Sequence, residues 1–70
     1  MSAVRDLLEY RRARLWFINN KERIRRSFSG KYIAILGERV IDNDSDKFLL
    51  IQRLWSRGMF PGPVLIEHVD

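Results

Sequence analysis

The sequence predicts an α+β domain with the element order α-β-β-α-β, a three-stranded sheet in the order 2-1-3, and its helices on one face of that sheet. Three observations carry this expectation. No Gly or Pro interrupts residues 3–28, which read as helix. Lys31–Leu36 then reads as a strand rich in β-branched residues, joined by Gly37-Glu38 to a second strand. Finally, a segment that opens in Asn43-Asp44-Ser45-Asp46 and stops at Gly58 has the end signals of a helix, and the strand-like Val64–Val69 follows it. With 70 residues the chain has room for one domain. A domain of this size buries only about 60% of its extended-chain surface, so its stability is modest or is shared with a partner.

The first helix has Ser2 as its candidate cap, and one weak point at Asn19-Asn20. Asn19 followed by Glu22 resembles a capping box, so the stretch either breaks there or runs on as a single helix. At 100° per residue the stretch has two apolar stripes rather than one. Phe17, Ile24 and Phe28 share a face that Tyr10 and Ala13 extend upstream. Val4, Leu8, Leu15 and Ile18 share another about 140° away, with Leu7 alongside and Arg11 filling the missing step.

Gly30 reads as a left-handed helix cap. The strand behind it is apolar on both faces except at its start, the signature of a central strand. Gly37 at the first turn position fits a type II′ hairpin leading to the return strand Arg39–Asp42. The helix from about Asp46 to Arg57 has Phe48, Ile51, Leu54 and Trp55 along one side. Met59-Phe60-Pro61-Gly62-Pro63 cannot continue it. With both helices on one sheet face, Phe17, Ile24, Phe28, Phe48, Ile51, Leu54 and Trp55 are the expected core.

Phe28, Gly30-Lys31-Tyr32-Ile33-Ala34, Val40-Ile41-Asp42, Asp46 and the Val64–Val69 segment also form a pattern. From about Trp16 onward the chain resembles a prokaryotic family of short domains of unknown function, whose hallmark is Gly-Lys-Tyr-Val-Ala after a helix ending in an aromatic residue. Ser29 departs from it where a proline is common, and Gly37-Glu38 where Asp-Gly is common. The resemblance implies the same fold over residues 16–70; residues 1–15 fall outside it and read as a basic N-terminal helical extension. It also implies an accessory role, since relatives of this kind sit beside or within other small proteins. It is silent about chemistry.

Several chemistries lack the residues they need. Without cysteine there is no disulfide, thiolate zinc site or thiol nucleophile. The apolar runs Leu15–Ile18, Ile33–Leu36 and Phe48–Ile51 fall far short of a membrane span, and residues 1–15 are too charged for a signal peptide. A small soluble cytoplasmic domain is the expectation. Gly30-Lys31 is no phosphate-binding loop, because Arg25 and Tyr32 stand where Gly and Ser or Thr are required. Asp42, Asp44 and Asp46 alternate like the opening of a calcium loop, but Lys47 and Arg53 replace its Gly and Glu, so turn and capping roles are expected. His68 is the only conventional general base, with no nucleophile placed near it. The chain is therefore expected to be no enzyme and to take no metal, cofactor or small-molecule substrate.

Charge is the strongest functional signal. Residues 1–26 carry Arg5, Arg11, Arg12, Arg14, Lys21, Arg23, Arg25 and Arg26 against Asp6, Glu9 and Glu22, whereas the rest of the chain is close to neutral. On a continuous helix Arg12, Arg23 and Arg26 form one group, and Arg11, Arg14, Lys21 and Arg25 another. Arginine's planar fork suits phosphate and carboxylate. Two readings follow. The first is a non-catalytic interaction module docking on itself or on a partner protein through Val4, Leu7, Leu8, Leu15 and Ile18. The alternative is an RNA- or DNA-associated accessory protein that binds phosphates through Arg11, Arg12, Arg14, Lys21, Arg23, Arg25 and Arg26. Salt separates them, since phosphate binding weakens steeply as salt rises.

Overall fold

The computed structural model describes residues 3–70, with the side chains from Val4 onward; Ser2, the candidate cap of the first helix, lies outside them. Helices α1 (Ala3–Asn19) and α2 (Lys21–Phe28) lead into strands β1 (Tyr32–Leu36) and β2 (Arg39–Asp44), then helix α3 (Lys47–Ser56) and strand β3 (Leu65–His68). The sheet order is β2-β1-β3, with β1 antiparallel to both neighbours. The expected α+β class and strand order are those observed.

The helix pair breaks at Asn20, but not through the anticipated capping box. Asn20 Nδ2 donates to the Trp16 carbonyl at 2.8 Å, which closes the end of α1, and no side chain caps the start of α2. After α2, the Lys31 amide donates to the Phe28 carbonyl at 3.0 Å across Ser29 and Gly30. Ser29 at φ −54°, ψ 131° and Gly30 at φ +82° make this a type II turn, whose third residue must be left-handed. Gly30 therefore serves the turn rather than capping the helix, and its amide donates to Val69 at 2.7 Å. At the hairpin tip Gly37 has φ +63° and no other residue but glycine is left-handed among those described, so the turn between Leu36 and Arg39 is of the expected II′ kind.

The arrangement of layers differs from the expectation. The helices do not share a face. Ile33, Ile35, Leu65 and Val69 pack with Ala13, Phe17 and Ile24 on one side of the sheet, whereas Ala34 and Val64 pack with Leu50 and Leu54 on the other. The reason lies in β1, whose residues 33, 34 and 35 are all fully buried. Alternate side chains point to opposite faces, so a strand without a polar side needs cover on both.

The expected core is corrected with it. Phe17, Ile24 and Leu54 are buried, and Phe28 and Ile51 are half-buried, but Phe48 and Trp55 are 80% and 64% exposed. Leu49-Leu50-Ile51 supplies apolar residues around much of α3, so hydrophobicity alone does not set its rotation. Leu50 and Leu54 turn to the sheet, which places Phe48 and Trp55 on the opposite side of the helix. Met59 and Phe60 of the following loop complete that layer. The Gly58 amide bonds to Trp55 and the Met59 amide to Leu54, the paired closure of a Schellman motif.

A bulge sets the second strand. Ala34 pairs with Asp42 and Ile35 with Val40, so Ile41 is the extra residue. It lets Val40 serve the α1 side while Asp42 and Asp44 face α3.

In chemical denaturation, Leu54→Ala is expected to cost about 2–5 kcal/mol. Phe48→Ala and Trp55→Ala should each stay within about 0.5 kcal/mol of the parent protein. Equal costs at the three positions would place α3 in the wrong rotation.

Candidate functional site

Two clusters of side chains stand out from the packed layers. The first lies between β2 and α3. Arg53 donates from Nε and Nη2 to the two carboxylate oxygens of Asp42, both at 3.1 Å, and from Nη1 to Asp44 at 2.8 Å. It also donates to the Asn43 carbonyl at 3.0 Å. Asp46 caps α3, accepting from the amides of Phe48 and Leu49. The guanidinium, helped by the Asn43 amide, holds Asp42 below the usual carboxylate range. Asp44 is lowered first by the amide of Asp46 and then by Arg53. The same carboxylates hold the Arg53 guanidinium more firmly protonated. The alternating acids are thus occupied by an internal cation and a helix cap, and among the described residues no cluster of His, Asp and Glu could hold a metal ion. The sequence carries a signal for this clamp beyond the turn and capping roles expected of these acids: an Arg on a helix face behind an Asp-x-Asp strand end.

The second cluster is the outer face of α1. Ala13 and Phe17 fasten this helix to the sheet. Arg12 reaches Glu38 of the hairpin at 3.5 Å and Glu9 at 3.8 Å, and Arg14 reaches Glu67 of β3 at 3.7 Å. These pairs are exposed and individually weak. Opposite the sheet, Val4, Leu7, Leu8, Leu15 and Ile18 are between 53% and 72% exposed. All five residues read as a second stripe therefore share one open face. The break at Asn20 does not fold them back onto the domain's own core.

The basic residues lie on two helices rather than one. Grouping Arg12 with Arg23 and Arg26, or Arg11 and Arg14 with Lys21 and Arg25, assumes one continuous helix, and the turn at Asn20 ends that continuity. Arg25 pairs with Glu22 at 3.5 Å, the Arg23 guanidinium sits 5.9 Å from the Trp16 ring, and Lys21 sits 5.9 Å from that of Phe17. Arg12, Arg14 and Arg25 thus already face carboxylates, which an arriving phosphate would have to displace. Arg11 lies among the stripe aliphatics and makes no ion pair among the described residues.

His68 packs at a tilt against Tyr32, its cross-strand neighbour, with ring centres 4.7 Å apart and ring planes 59° apart. It borders a cleft of about 130 Å³ lined by Lys21, Arg25 and Glu67, smaller than the roughly 300–1,000 Å³ typical of small-molecule sites. A larger open groove of about 370 Å³ is lined chiefly by Leu36, Met59, Pro61, Pro63 and Val64, with Asp6 at its edge. No described helix is long and apolar enough to cross a membrane. Compared with protein-family profiles, curated proteins and solved structures, the chain gives no match.

The lowered Asp42 and Asp44 predict an acid response. Their folded pKa lies below the unfolded value near about 4, so the stabilisation is complete above that pH and is lost as pH falls through the folded values. Arg53→Gln should destabilise the protein at pH 7, and the gap to the parent should close as the pH falls well below about 4. A gap independent of pH in urea titrations would show that the clamp contributes nothing through charge.

Proposed function

We propose that this chain is a small, cytoplasmic, non-catalytic interaction module that docks through the outer face of α1. The observation that carries the reading is the set of five aliphatic residues on that face, each more than half exposed. Fully burying a side chain of this kind gains about 1.5–3 kcal/mol. Leaving five of them in water is a large forfeit for a chain this short, and a contiguous exposed apolar surface of this kind marks an association site in soluble proteins.

Binding to RNA or DNA is the weaker reading, because it assigns no role to the five exposed aliphatics.

Leu8→Glu/Leu15→Glu is expected to leave the fold intact, with stability within about 1 kcal/mol of the parent. A photo-crosslinking residue at Leu8 or Leu15 in the intact chain, expressed in its own cells, is expected to give a discrete protein adduct, which the same residue at Lys31 does not give. Collapse of the fold in the double variant, or the absence of any adduct from Leu8 and Leu15, would overturn the docking reading.

A further inference from the structure

We infer that the occupant of the α1 face is an acidic amphipathic helix of a different protein, with a carboxylate opposite Arg11 and others opposite Arg5, Arg12 and Arg14. This rests on the docking reading and adds the chemistry of the partner.

Val4, Leu8, Arg11, Leu15 and Ile18 follow one another at steps of four, three, four and three. That is the seam of a two-helix coiled coil, with the five residues at alternating d and a positions. It is narrow, spanning about 100° of arc with Leu7 included. In the same register Arg5 and Arg12 fall at e, and Leu7 and Arg14 at g, the positions that choose a partner by charge. Asp6 and Glu9 fall at f and b, on the side of α1 turned to the sheet, with Glu9 half-buried near Gly37. Among the described residues, the seam and its flanks therefore carry charge of one sign only.

A second copy fits this surface poorly. A parallel pairing in register sets Arg11 against its symmetry mate. In an antiparallel pairing d faces a, so Arg11 meets Leu8 or Leu15 with the second arginine in the adjoining layer, and Ile18 or Val4 is left uncovered. Either way the seam closes over two guanidiniums with no carboxylate to pair them. A lipid surface also fits poorly. Helices lying in a membrane interface present a broad apolar face, commonly with aromatic anchors. Here the face is narrow, has an arginine at its centre, and has Tyr10 and Trp16 turned towards the sheet side.

A carboxylate opposite Arg11 resolves the conflict. Closing a seam over an unpaired guanidinium is strongly unfavourable, whereas a buried partner acid fixes register and rejects partners without one. The pairs of Arg12 and Arg14 with Glu38 and Glu67 are exposed and loose enough to exchange for the partner's acids.

The probe is a synthetic helical peptide of about four heptads. It carries leucine at a and d, glutamate at e and g, and glutamate in place of the central d leucine; its own like charges keep it monomeric. Titrated with the intact chain, it is expected to bind about tenfold more tightly than the same peptide with glutamine in place of the central d glutamate, the flanking glutamates being kept so that this control is monomeric too. Arg11→Glu should remove that preference, and a peptide with lysine at the central d position should restore binding to the Arg11→Glu chain. Glutamine and glutamate peptides binding alike would overturn the acidic requirement and leave the docking reading standing, as would failure of both peptides while Leu8 and Leu15 still crosslink. A dimer in light scattering at about 100 µM, a concentration that detects even weak pairing, would assign the face to a second copy. Binding to phosphatidylglycerol vesicles that the glutamate peptide does not compete would assign it to lipid. Failure of the docking reading itself shows separately, as absent adducts from Leu8 and Leu15.

Discussion

Burial of β1 on both faces is the constraint from which the rest of this small domain follows. Ile33, Ala34 and Ile35 are fully buried in succession, so each face of the sheet must be covered by something. In a 70-residue chain only two helical layers are at hand. The α1–α2 pair covers one face and α3 the other, and neither layer has a further layer outside it. Exposed aliphatics on α1, and exposed Phe48, Leu49 and Trp55 on α3, are the direct result.

The polar cluster between β2 and α3 depends on the same sheet. Asp42 and Asp44 reach Arg53 because the extra residue at Ile41 changes the facing of β2 part-way along. Without it, Val40 and Asp42 would share a face, and one of them would stand on the wrong side. The bulge lets one strand contribute an aliphatic to the α1 side and two carboxylates to the α3 side. Arg53 then clamps the strand end, and with it the rotation of α3 that buries Leu50 and Leu54.

Much of this was legible in the residues, and the exceptions have physical causes. The strands, the type II′ hairpin, the Asp46 cap and the strand order follow from local patterns that tertiary contacts did not override. The open stripe on α1 was legible because it lies far around the helix from Ala13 and Phe17. The placement of α3 was misjudged although its evidence was in β1, where a strand apolar on both sides already demands two layers. The rotation of α3 was harder to see. Its apolar residues occupy several faces, and the deciding interaction joins Arg53 to residues nine and eleven positions upstream. The bulge carries no local mark, since nothing about Ile41 separates it from an ordinary strand residue.

The irregularity in β2 also bears on how copies of this chain meet one another. A flat outer strand offers unpaired backbone groups to any neighbouring strand. β2 is bent by its extra residue and carries Asp42 and Asp44 at its far end, and β3 at the opposite margin is only four residues long. Bulges, charges and short margins of this kind block sheet-to-sheet growth. The margins of the sheet are thereby poor templates for a further strand, although so much apolar surface lies open on the helices.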